Sequence, residues 1–224
     1  MTSQIETSVW TGNWKAAVGA ALFAFLAAAI VIGTGGYLTN PGASLILPIG
    51  VTAVVPVALF LATFAASARF RGFVLAQDPR ILTMMHLWRV VGFTFLLLYA
   101  VDTLPAVFAI PAGVVDVAIG VAAIFIVARM ERDPSFVRSK GFARFHLLGL
   151  LDFAVAVGTS GLAAGAIPGL VPGGGTSAAM DVWPLNFFPS FIVPLFIILH
   201  LTVLLKIRAL RRGAGETAGA EVVQ

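Results

Sequence analysis

Residues 104–128 read LPAVFAIPAGVVDVAIGVAAIFIVA, a run of 25 in which Asp116 is the one charged side chain. At 1.5 Å rise per residue such a run is long enough to cross a hydrocarbon core of ~30 Å as a helix. Its apolar residues are continuous rather than alternating, which argues against a barrel strand. In lipid its backbone groups must then be satisfied within the segment, as a helix does. Five more runs of similar length surround it, at approximately 16–38, 44–66, 81–101, 144–165 and 187–207. The predicted fold is all-α, a polytopic membrane bundle of six transmembrane helices. It forms one domain over residues 1–212, followed by a polar, small-residue tail at 213–224 that reads as disordered.

Composition agrees. Of 224 residues, 59% are hydrophobic and 11% charged, against the roughly 25% charged of soluble domains. The surface such a chain presents suits a lipid bilayer as its partner. The pI near 10.1 does not imply nucleic acid, because the basic residues sit in short connections between apolar runs. Cysteine is absent, so disulfides, thiolate metal sites and cysteine nucleophiles are excluded. The apolar run behind Lys15 is too long for a signal-peptide core and reads as a retained first helix.

The basic residues orient the spans. Arg69, Arg71 and Arg80 follow the second run; Arg129, Arg132, Arg138, Lys140 and Arg144 follow the fourth. Lys206, Arg208, Arg211 and Arg212 close the sixth, and Lys15 precedes the first. Connections at 39–43, 102–103 and 166–186 carry none. Lysine and arginine translocate poorly, which predicts both termini on the cytoplasmic side. The glycine- and proline-rich connection from Ile167 to Pro184 reads as a linker or an external lid.

Ionisable residues inside a membrane helix cost free energy and need partners. Arg89, Asp116, Asp152 and His200 lie ~12, ~18, ~12 and ~10 Å from the cytoplasmic ends of their spans, with His86 shallower at ~8 Å. One cation and two acids from different helices should pair, so Arg89 is expected against Asp116, Asp152 or both. Gly113, Asp116 and Gly120 share a helix face, as do His146, Gly149, Asp152 and Ala156. His86 and Arg89 do too, at i and i+3. His146 reads as a residue near the cytoplasmic headgroups. Prolines interrupt three spans, Pro111 before Asp116 and Pro194 before His200, in the manner of broken helices that build transporter sites.

No zinc-protease helix, nucleophile elbow, phosphate loop or mid-helix lysine is present, so no reaction, catalytic residue or metal site is assigned. Three readings stay open. The Arg/Asp/His cluster serves a secondary carrier by binding a proton, an ion or a small polar ligand. Alternatively it only fixes the packing of a structural or regulatory subunit. No cofactor is needed in either case; in the third reading His86 and His200 ligate a b-type haem.

The stretch Leu104–Ala123, the segment Leu148–Asp152 (LGLLD) and PSFIVPLFIILH at 189–200 together resemble a group of small uncharacterised bacterial integral membrane proteins. That resemblance implies a bacterial cytoplasmic membrane and draws attention to Asp116, Asp152 and His200. It implies no reaction.

Overall fold

The computed structural model describes residues 14–39, 47–165 and 176–221. Among these there is no strand. The helices are α1 (Trp14–Thr34), α2 (Leu47–Ala66), α3 (Ala68–Ala76), α4 (Pro79–Met85), α5 (Phe93–Ala100), α6 (Ala106–Arg132), α7 (Lys140–Ala163) and α8 (Val193–Glu221). A 3₁₀ segment, His86–Gly92, joins α4 to α5, and a π-helical turn, Phe188–Ile192, leads into α8. Six stretches are long and apolar enough to cross a membrane: Ala16–Thr34, Ile49–Ala66, Pro79–Ala100, Ala106–Arg132, Lys140–Ala163 and Phe188–Arg212. These are the six runs of the sequence, displaced by a few residues at their ends. Large apolar side chains such as Trp88 and Phe125 are exposed on them, as lipid-facing positions should be. Of the linker, Pro168, Pro172 and the triple glycine fall in 166–175, outside the described residues. The helix of α8 continues past Gly213, where composition predicts disorder, to Glu221.

Contacts divide the chain into two compact units where the sequence offers one domain over 1–212. The first comprises Met1–Ala76 and Ala178–Leu195, the second Gln77–Ser177 and Phe196–Gln224. In the first, α1 and α2 both pack on the turn Phe188–Ile192. Asn186, fully buried, fastens that turn by donating from Nδ2 to Gly33 O at 3.1 Å and to Asp181 O at 3.2 Å. Gly33 must lack a side chain, since a Cβ there would come within 2.6 Å of Asn186 Oδ1. Asn186→Ala would remove this donor from the Asp181 carbonyl and leave the Gly33 carbonyl only the longer bond from Gly36 N, at 3.4 Å. A loss of about 1–3 kcal/mol is expected, read as a lowered thermal midpoint in detergent, with exposed Thr39→Ala as the unaffected control.

In the second unit α6 is central, packing on the 3₁₀ segment, α5 and α7. The helix starts at the basic end are built by side-chain caps. Asp78 accepts from Arg80 N at 2.8 Å with Pro79 at the first helical position, and Arg80's guanidinium, bonded to the same carboxylate, holds its pKa below the usual range. Arg80 also reaches Glu131 at the end of α6, 3.1 Å away. Ser139 accepts from Phe142 N at 3.0 Å and starts α7 at Lys140.

Candidate functional site

The 3₁₀ segment sets the register of the site. At three residues per turn, side chains at i and i+3 eclipse, so His86, Arg89 and Gly92 fall on one face, and these are the segment's buried residues. That face meets α6, where Gly113 and Gly120 pack against it. A Cβ at Gly120 would come 3.0 Å from Val90 N, and one at Gly113 3.1 Å from Gly92 O. The small-residue stripe of α6 is therefore filled from within the chain. Gly92 in turn admits Asp116, whose carboxylate a Cβ there would strike.

Arg89 lies at the centre and is 1% exposed. Its Nε donates to Asp116 Oδ1 at 2.7 Å, and its Nη2 bonds Asp152 Oδ2 and lies 2.7 Å from Asp116 Oδ1. Nη1 donates to Gly149 O at 3.3 Å and to His200 Nε2 at 3.2 Å. The guanidinium also sits over the Phe153 ring, 4.2 Å from its centroid. The cluster expected from Arg89, Asp116, Asp152 and His200 is thus assembled by one forked cation.

Two findings go beyond the sequence. His146, read there as a residue near the headgroups, is fully buried within the second unit, and its Nδ1 lies 2.8 Å from His200 Nδ1. Because Ser139 caps α7, the helix starts at Lys140, four residues before the expected 144, and His146 stands ~9 Å along it. His86, also fully buried, stacks on His200 with ring centroids 3.7 Å apart and planes 16° from parallel. Axial haem ligands hold a porphyrin between their nitrogens. Rings stacked face to face leave no such gap between His86 and His200 as they stand here.

The proton positions follow from the partners. A guanidinium can only donate, so His200 Nε2 accepts and its proton is on Nδ1, facing His146 Nδ1 as acceptor. His146 then carries its proton on Nε2, which faces Thr83 Oγ1 at 3.5 Å, and that hydroxyl donates to Pro79 O at 2.6 Å. Thr83 lies one 3₁₀-like step before His86, so a three-residue period from 83 to 92 marks this face. In this cluster His86 Nδ1 and Nε2 and Asp152 Oδ1 are buried without a hydrogen-bond partner, as is Asn186 Oδ1 in the first unit.

Fold and site together define an all-helical protein whose spans match a membrane and whose second unit encloses an arginine–aspartate–histidine network. The chain belongs to the family described as a domain of unknown function, DUF8737, whose pattern covers residues 46–208. No curated protein and no solved structure matches it.

Proposed function

We propose that this is a multi-pass protein of the bacterial cytoplasmic membrane, both termini inside, that works as a small proton-coupled secondary carrier. The observation that carries this reading is the single buried guanidinium shared by Asp116 and Asp152. One positive charge faces two acids, so one further positive charge balances the cluster in a medium where net charge is costly. The enclosure of Arg89 favours a proton over any larger polar ligand. Pro111, one to two turns before Asp116 inside α6, removes a backbone donor from the helix that carries the acid, the kind of local weakness that carriers use for movement.

A second reading, a fixed strut, is favoured by the complete satisfaction of Arg89, every nitrogen of which has a partner. Proton uptake by purified protein separates the two. On acidification the wild type should take up one proton per chain in a step that Asp116→Asn and Asp152→Asn both lack, each variant still eluting as folded protein. In vesicles the same variants should reduce proton flux at least about tenfold. Uptake unchanged in both variants, or variants that never insert, would favour the strut.

A further inference from the structure

We propose that His86, His146 and His200 form a site for one first-row transition-metal cation, a reading independent of the carrier hypothesis. The three imidazoles come from separate elements, the 3₁₀ segment, α7 and α8, and each is fully buried. One ring nitrogen from each lies within 4.8 Å of the other two. Metal–imidazole bonds of ~2.0–2.1 Å place ligand nitrogens roughly 3.3 Å apart. Closing the set therefore takes about 1–1.5 Å of nitrogen movement together with a tilt of the His86 and His200 rings out of their stack, so that both lone pairs point at one ion.

The protonation pattern suits this chemistry at His86 and His146; His200, whose Nδ1 carries a proton and whose Nε2 accepts from Arg89, ligates through Nδ1 with release of that proton. A ligating histidine must be neutral, and its other nitrogen is held by an outer partner. His146 meets both conditions: Nδ1 faces His200, while Nε2–H faces Thr83 Oγ1, itself fixed on Pro79 O. His86 has both nitrogens buried and unpartnered, so it has a lone pair to give and loses no hydrogen bond by giving it. Ring packing alone does not account for the trio. His86, His146 and His200 sit among Phe142, Phe145 and Phe196, and phenyl rings would fill the same space without polar atoms to desolvate.

Donor type and charge narrow the ion. Imidazole-only donors suit zinc, copper, nickel or ferrous iron and not magnesium or calcium. The adjoining Asp116–Arg89–Asp152 group is one negative charge in excess, so a cation beside it is favoured. Three protein ligands leave a coordination position open.

The test uses full-length protein purified without a polyhistidine tag. Cobalt(II) is followed by its ligand-field absorption, zinc(II) by competition, and copper(I) by withdrawal from a chromophoric chelator. One ion per chain should bind, with the intense visible bands of low-coordinate cobalt. His86→Ala and His146→Ala should each weaken binding by at least about tenfold, and Thr83→Val by about 10–100-fold. Asp116→Asn should still bind stoichiometrically, which separates this site from the proton-binding acids. The proposal is overturned if wild-type protein takes up none of the three ions, a result no misfolded variant can confuse. It is also overturned if the His86/His146/His200 triple alanine variant binds as tightly as the wild type.

Discussion

Arg89→Met should remove most of the stability of the second unit, and adding Asp116→Asn and Asp152→Asn to it should restore much of what is lost. The single substitution leaves two carboxylates buried against each other with no cation, beside a His200 Nε2 and a Gly149 carbonyl that lose their donor. Removing one partner of a buried pair costs about 3–5 kcal/mol, a large part of the roughly 5–15 kcal/mol that holds an ordinary domain together. Replacing the whole ion group by neutral residues of similar size avoids that penalty, because the desolvation of the charges disappears with their attraction. Thermal unfolding in detergent, followed by tryptophan fluorescence, should therefore rank wild type above the triple variant and the triple variant far above Arg89→Met. A triple variant no better than the single one would mean that the carboxylates are not what Arg89 neutralises.

The parts of this arrangement legible in the sequence are those set by one strong energy. Charge is so costly in hydrocarbon that Arg89, Asp116 and Asp152 had to meet, and apolar length alone marks the six spans. Weaker, local terms decide the rest. A serine cap at Ser139 starts α7 four residues early, and helix rotation buries His146 beside His86 and His200. A 3₁₀ segment, worth little energy per residue against an α-helix, aligns Thr83, His86, Arg89 and Gly92; periodicity at 3.6 residues does not reveal it. Stacking of His86 on His200 depends on helix rotation, which hydropathy does not specify. The polar composition after Gly213 says nothing of a helix that arrives already nucleated, since extending a helix is far easier than starting one.

Gly149→Ala should destabilise the protein even though alanine is the better helix former. A Cβ at this position would collide with Nε2 and Cε1 of His200 and come 3.1 Å from Arg89 Nη1. Neither neighbour retreats without giving up contacts, the imidazole being stacked on His86 and bonded to His146, the guanidinium held by two carboxylates. Overpacking costs about 1–3 kcal/mol, and loss of the Arg89–His200 hydrogen bond adds about 1.5–3 kcal/mol for a bond to a charged group. The gain in helix propensity, roughly 1 kcal/mol, does not offset these. Gly158 provides the control on the same helix: nothing lies within 4 Å of a Cβ built there, so Gly158→Ala should be neutral or stabilising by up to about 1 kcal/mol. If the collision is the cause, removing the imidazole makes room, and Gly149→Ala should cost much less in a His200→Ala background. A coupling of about 0.5–3 kcal/mol between the two positions is expected from such a cycle. Additive effects would instead show that Gly149 is kept for a reason other than the approach of His200 and Arg89 to the α7 backbone.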